Sequence, residues 1–153
     1  MHGDSPGSNF AKALSVNQSY KMLMPRGKEI YKRNFACHMV IGDETSLGTA
    51  LSIKAETEKH DRNFASIFEL DDHEVLRELK LYGSHTTKNT AHKLTEQLDT
   101  LIKEGTIDPT ATAFYITGNG ATLQAVRQRL KQSGVANNQI VAQTYWIAGK
   151  KGL

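Results

Sequence analysis

Two short stretches combine glycine with polar residues in the way that ligand-binding corners do. Residues 42–46, Gly-Asp-Glu-Thr-Ser, follow the apolar run at 37–41, and residues 117–122, Thr-Gly-Asn-Gly-Ala-Thr, follow the apolar run at 113–116. Each stretch opens a helical pattern, so each reads as a strand, a tight turn and a helix N-terminus. The free N–H groups of a helix N-terminus attract anions such as phosphate.

The two corners differ in charge. Asp43 and Glu44 lie in the first corner, where their carboxylates would repel a phosphate and where aspartate also suits a helix cap. The second corner has no carboxylate, and Gly118 and Gly120 would let a ligand approach the backbone closely, although a plain tight turn is the alternative. Neither a GxGxxG fingerprint nor a Walker lysine motif occurs. The corners therefore indicate an α/β domain and leave a nucleotide site open.

No catalytic residue can be identified from the histidines and the cysteine of the sequence. The six histidines are scattered without metal-ligand spacing, and a single cysteine cannot build a zinc site, so no metal site is predicted. His85 and Lys88 lie in a polar loop that could meet a phosphate or simply face solvent. Cys37 excludes an internal disulfide and suits a reducing cytoplasm.

The hydrophobic periodicity of the sequence predicts the strands and helices that position the two corners. Strand patterns occur at residues 36–41, 64–70, 79–82, 113–117 and 139–144, and a short additional candidate at 20–24. Helical patterns occur at about 9–14, 46–59, 90–104 and 121–132. Strands alternating with helices predict an α/β fold, a five-stranded mostly parallel sheet with helices on both faces.

Composition and sequence pattern argue against a membrane protein, an exported protein and a nucleic-acid-binding protein. The chain has 153 residues, 39% of them hydrophobic and 23% charged, with a net charge of +3, as expected of one soluble domain. No apolar run reaches the roughly 20 residues that span a bilayer, and no export signal is recognised. We therefore expect a cytoplasmic protein without a membrane partner. The basic helix at 121–135 is interpreted as a sheet-covering helix rather than a DNA-binding element, so no nucleic-acid partner is predicted.

Four segments in order carry a family resemblance: residues 2–11, 24–27, 42–47 and 144–149. Together they resemble the siderophore-interacting protein family, FAD-dependent ferric-siderophore reductases of the ferredoxin-reductase superfamily. The resemblance implies that residues 1–33 are the remnant of a flavin-binding barrel with its linker, and that residues 34–153 are an NAD(P)-binding-like domain. Most of the barrel, including an Arg-x-Tyr-Ser-type flavin motif, is missing, and Gly48 stands where the family has a proline.

The resemblance also implies a function, part of an oxidoreductase that reduces ferric siderophores and releases Fe(II). Its implied cofactors are FAD and NAD(P)H, and its implied partners are the ferric siderophore, the missing flavin-binding domain and ferredoxin as a donor. A nucleotide-binding module without turnover is the alternative. The residues implied to bind cofactor are Gly7, Ser8, Asp43, Glu44, Thr45, Ser46, Gly118, Asn119, Gly120, Tyr145 and Trp146.

Overall fold

The computed structural model describes residues 6–21, 29–72, 74–81, 84–86 and 91–150. Its helices are α1 (Pro6–Lys12), α2 (Leu47–Lys59), α3 (Glu74–Glu78), α4 (Ala91–Lys103) and α5 (Gly120–Gln132). Its strands are β1 (Cys37–Asp43), β2 (Asn63–Glu69), β3 (Ser84–Thr86), β4 (Thr112–Asn119) and β5 (Ile140–Trp146). Two 3₁₀ turns, Glu44–Ser46 and Asn137–Gln139, precede α2 and β5.

The strands pair in parallel in the order β3-β2-β1-β4-β5. Four of them have seven or eight residues, whereas β3, at one edge, has three. The chain builds outward from β1 to β3 and then crosses back to β4, so the strand order reverses between β1 and β4. The α/β class with a parallel sheet is confirmed. In such sheets ligands bind at the carboxyl ends of the strands where the order reverses.

Helices cover both faces of the sheet. On one face α4 and α5 close a core that includes Met39, Ile41, Ile67, Leu94, Leu98, Phe114, Ile116, Val126 and Leu130. On the other face α2 and α3 close a core that includes Tyr31, Val40, Ala50, Ile53, Phe68, Leu70, Leu76, Leu81, Ala113 and Tyr115. The two buried faces explain why the central strands are apolar almost throughout.

Local sequence explains the buried face of α4 and the two ends of α5. In α4, Leu94 and Leu98 are fully buried and lie one helical turn apart. At the start of α5, Asn119 Oδ1 accepts a hydrogen bond from Ala121 N (3.1 Å), which is an N-cap. Beyond its end, Gly134 takes φ +83°, as a helix C′ residue commonly does.

The predicted third strand at residues 79–82 is wrong. Residues 79–81 follow α3, where Lys80 has φ +53° and Leu81 N donates to Leu76 O (2.8 Å). This is the bond that closes a Schellman motif, so the buried Leu76 and Leu81 are brought together by a helix end. The edge strand is β3 instead, and Tyr82 lies outside the described residues.

The segment before the α/β domain is mostly exposed. Tyr20 belongs to no strand; its hydroxyl accepts from Ser15 N (3.0 Å), and its ring packs edge-on against Phe10. The remainder of the strand candidate at 20–24, from residue 22 onward, lies outside the described residues. Among the helices that the structure describes, none has both the length and the apolar character for crossing a bilayer.

Candidate functional site

The carboxylate of Asp43 joins three segments at the carboxyl edge of the sheet. Its Oδ1 accepts from Thr45 N (2.9 Å) and Thr45 Oγ1 (2.5 Å) within its own corner. Its Oδ2 accepts from Asn119 N (3.0 Å) at the end of β4 and from Trp146 Nε1 (2.8 Å) at the end of β5. Asp43 is only 4% exposed, so these four donors replace the water that a buried carboxylate would otherwise lack.

The first corner is built around a capping box. Asp43 caps the 3₁₀ turn through Thr45 N, and Ser46 Oγ approaches Asp43 N at 3.2 Å and accepts its hydrogen. The preceding Gly42 is required by space, because a Cβ there would lie 2.1 Å from Ser46 Oγ and 2.5 Å from Thr117 O. The sequence-predicted capping role of Asp43 is therefore present in the structure.

The second corner is filled by the protein's own side chains. Gly118 has φ +108°, and a Cβ on it would lie 2.5 Å from Asp43 Oδ2. A Cβ on Gly120 would lie 3.1 Å from both Thr144 Cγ2 and Ile147 Cγ1. The close approach that these glycines permit is thus used by Asp43 and by the end of the chain rather than left open for a ligand.

A β-bulge sets the directions of the two terminal aromatic residues. The register between β4 and β5 shifts after Gly118, so that Asn119 pairs with Trp146 and Tyr145 is passed over. Trp146 donates to Asp43, whereas the Tyr145 hydroxyl lies 2.9 Å from Thr49 Oγ1 on α2. The structure therefore fixes each aromatic residue to a different element beside the first corner.

Carboxylates dominate the edge next to the first corner. Glu44 Oε1 accepts from Asp71 N (3.2 Å), and Glu69 at the end of β2 pairs in register with Asp43. Glu69 is almost fully buried. The Asn119 N–H of the second corner is already bonded to the Asp43 carboxylate, and Glu44 and Glu69 adjoin Asp43. The second corner therefore does not fit a pyrophosphate group, which the bound carboxylate would repel.

The predicted site residues thus fall into two sets. Direct hydrogen bonds bring together Asp43 and Thr45 of the first corner, Asn119 of the second, and Trp146. Tyr145 contacts Thr49 on α2, the helix that follows the first corner. Gly7 and Ser8 lie in α1, where a Cβ on Gly7 would meet no atom within 4 Å. They belong to an element separate from the two corners.

Sequence reasoning missed two features of this site. Thr49 is an ordinary residue of a helix pattern, and nothing in its local sequence signals that it meets Tyr145. The bond between Asp43 and Trp146 spans 103 positions, and neither residue type by itself indicates the other. The only available signal was that both residues belong to the motifs that carry the family resemblance.

A second buried polar group lies deeper, on the α2 face. His38 Nδ1 is 3.0 Å from Tyr115 OH, which also accepts from Lys32 N (2.9 Å), and Tyr31 stacks on the His38 ring at 4.3 Å. Burial lowers the pKa of His38, and burial raises the pKa of Tyr115 to about 12. Both groups are therefore neutral near pH 7, and they belong to the buried α2 face of the sheet rather than to its carboxyl edge.

Comparison with known proteins gives a consistent match. A family model described as "Siderophore-interacting protein" matches residues 35–149, three quarters of the chain. No curated protein matches the chain.

Two solved structures are similar in fold. The siderophore-interacting protein SipS from Aeromonas hydrophila superposes with a TM-score of 0.68 at 20% identity, over 99% of this chain and 61% of that one. The siderophore-interacting protein from Acinetobacter baumannii gives 0.66 at 18% identity, over 98% of this chain and 62% of that one. The chain therefore spans about three fifths of the length of these two proteins.

Proposed function

Because the chain belongs to the siderophore-interacting protein family, we propose that it forms part of a flavin-dependent reductase that releases iron from ferric siderophores in the cytoplasm. The proposal takes FAD as the cofactor, NAD(P)H or ferredoxin as the electron donor, and the ferric siderophore as the substrate. It includes no nucleic-acid or membrane partner. The observation that carries it is the convergence of the family-like motifs, residues 42–47 and 144–149, at one sheet edge.

The chain's own residues suit one wall of a flavin cleft. Trp146 is 38% exposed while its indole N–H is held by Asp43, so part of a fixed aromatic ring faces outward. Tyr145 is tied to Thr49 beside it. Aromatic rings held in place can stack on a planar ligand with little loss of side-chain entropy.

FAD, when bound, would supply the conversion between two-electron uptake and one-electron release, which reduction of a siderophore's Fe(III) to the less tightly held Fe(II) requires. This chain would supply the ring wall and its support. A dinucleotide donor would have to place its pyrophosphate away from Gly118 and Asn119, where the Asp43 carboxylate already lies.

The proposal assigns residues 1–33 to the end of the flavin-binding domain and its linker. Exposed apolar side chains in this segment support the assignment, because surface of this kind is normally covered by a partner. They are Phe10 (59% exposed), Leu14 (48%), Val16 (91%) and Tyr20 (41%). The missing flavin-binding domain is therefore proposed as a partner of this segment.

The test uses this chain and a longer protein in which a complete flavin-binding domain precedes it. Both are purified and examined for flavin absorbance, and the longer protein is mixed with a ferric siderophore, FAD, and NADH, NADPH or reduced ferredoxin in turn. We expect bound FAD and donor-dependent Fe(II), detected with a ferrous-specific dye. Absence of flavin binding in both proteins would contradict the proposal. NAD(P)H binding without flavin would indicate the nucleotide-binding module instead.

A further inference from the structure

We infer that Asp43 is the positioning residue for Trp146, and that it fixes the indole ring as the aromatic wall of the proposed flavin cleft. Only the part of the inference that concerns flavin rests on the proposed function. The positioning itself rests on the geometry of the sheet edge, which involves residues from three separate strands.

The hydrogen bonds of Asp43 are divided between its two oxygens. Oδ1 takes both donors of Thr45, which fixes the carboxylate relative to its own turn. Oδ2 then faces Asn119 N at 3.0 Å and Trp146 Nε1 at 2.8 Å. Because the bonds to Oδ1 hold the carboxylate in place, Oδ2 is a fixed acceptor, and its position determines where the indole N–H can lie.

The space for this arrangement is made by the second corner. Gly118 has no side chain, and a Cβ there would clash with Asp43 Oδ2, at a distance of 2.5 Å. The bulge at the end of β5 places Trp146 opposite Asn119. Gly118 and the bulge therefore both favour one contact, between the carboxylate and the indole.

Trp146 combines a buried polar edge with an exposed ring. Its N–H is bonded to a carboxylate that is 4% exposed, while the residue as a whole is 38% exposed. A tryptophan held only by packing would need no acceptor of this kind. Since the chain contains one tryptophan, its indole signals can be observed without interference.

The test begins with the unaltered chain. In a ¹H–¹⁵N spectrum the single indole N–H should exchange with solvent roughly tenfold or more slowly than in the urea-unfolded chain, because opening requires loss of a bond to a buried carboxylate. An exchange rate equal to that of the unfolded chain would overturn the inference, and this measurement needs no variant.

Two variants then separate the effect of Asp43 from the general effect of removing a carboxylate. Asp43→Asn retains the side-chain shape but can present only one acceptor oxygen, and we expect the indole resonance to shift and its exchange to quicken by roughly tenfold. Glu78→Gln removes a carboxylate that is exposed on α3 and belongs to no candidate site, so it should leave the resonance unchanged. Equal behaviour of the two variants would overturn the inference.

The link to flavin is tested with FAD as the probe. In the protein with its complete flavin-binding domain, Asp43→Asn should weaken FAD binding several-fold, whereas Glu78→Gln should not. If both variants bind FAD as the unaltered protein does, Trp146 is not a positioned wall of the cleft. If no form binds FAD, the proposed function fails, and the indole exchange still decides whether Asp43 positions Trp146.

Discussion

Gly118 shows how the absence of one side chain makes room for a bond between distant strands. Its φ of +108° is unfavourable for other residues, and a Cβ would lie 2.5 Å from Asp43 Oδ2. Gly134 also has a positive φ, +83°, but a Cβ there would meet no atom within 4 Å. Substitutions at these two glycines therefore distinguish the free-energy cost of backbone strain alone from the cost of strain combined with a steric clash.

We expect Gly118→Ala to lower the free energy of unfolding by about 3 kcal/mol, because it adds a clash with a buried carboxylate to the backbone strain. Gly134→Ala should cost about 1 kcal/mol, from strain alone. Urea denaturation of both variants measures the difference. Equal losses would show that Asp43 gives way to the added methyl group without cost.

His38 makes the stability of the fold depend on pH. Burial is the largest cause that lowers its pKa, and Arg62 and His60 lower it further. The unfolded histidine takes up a proton near pH 6.5, whereas the folded one takes it up only at lower pH. As the pH falls below about 6.5, the unfolded state binds more protons and the free energy of unfolding decreases.

We expect His38→Phe, which keeps a ring against Tyr31, to lose less stability than the unaltered chain between about pH 7.5 and about pH 5.5. His60→Gln removes a partly exposed histidine that is a smaller cause of the lowered pKa of His38 than burial is, so it should retain most of the loss. Urea denaturation at both pH values measures each change. A pH-dependent loss in His38→Phe as large as in the unaltered chain would show that another group is responsible.

Cys37 illustrates a residue whose identity matters less than its burial. Its side chain packs against the α4 and α5 core, and burial raises the pKa of its thiol. We expect the folded chain to react with a disulfide reagent near pH 8 at least about tenfold more slowly than the urea-unfolded chain. Equal rates would indicate that the strand opens readily at this position.

At the scale of elements, the first turn of α2 contains a glycine, which is a poor helix former. Gly48 lies in its first turn, is exposed, and would meet no atom within 4 Å if it carried a Cβ. Alanine is favoured over glycine in a helix by about 1 kcal/mol. We expect Gly48→Ala to raise the free energy of unfolding by about 0.5–1 kcal/mol.

The matched control is Gly42→Ala, at the end of the strand that leads into the same helix. The added methyl would lie 2.1 Å from Ser46 Oγ and 2.5 Å from a backbone oxygen, so this variant should be destabilised. Thermal unfolding of both variants tests the contrast. Destabilisation by Gly48→Ala would contradict the open space around that residue.

Elements with local signals were predictable from sequence. The β1 strand, the α4 stripe of Leu94 and Leu98, and the Asp43 cap each depend on residues within a few positions of one another. The stretch at 79–82 misled because alternating leucines suit a strand and a helix end equally well, and only the left-handed Lys80 distinguishes them. The contacts of Asp43 with Asn119 and Trp146 depend on strand order, which local pattern does not determine.

At the scale of the whole molecule, the structure divides into a packed α/β domain and an exposed leading segment. The side chains described between residues 7 and 21 are all exposed or half-buried, and Tyr20 packs against Phe10 within the same segment. Tyr31, by contrast, is buried against His38, and Lys32 N donates to Tyr115 OH.

Deletion of residues 1–21 should therefore change the free energy of unfolding by less than about 1 kcal/mol. Deletion of residues 1–33 should cost about 2 kcal/mol or more, because it removes the Tyr31 stack and one hydrogen bond to a buried phenol. Urea denaturation of the two truncated chains measures both effects. A large loss from the shorter deletion would show that the leading segment packs on the domain.

The bond between Asp43 and Trp146 also constrains how the chain is made. The two residues are 103 positions apart, so on a ribosome the carboxylate emerges long before its indole donor does. Until β5 is synthesised and joins the sheet, Oδ2 lacks one of its two donors, and the central strand that carries it is stabilised incompletely. Completion of the hydrogen bonds of Asp43 therefore depends on docking of β5, and a nascent chain arrested before Trp146 cannot reach the native arrangement of this corner.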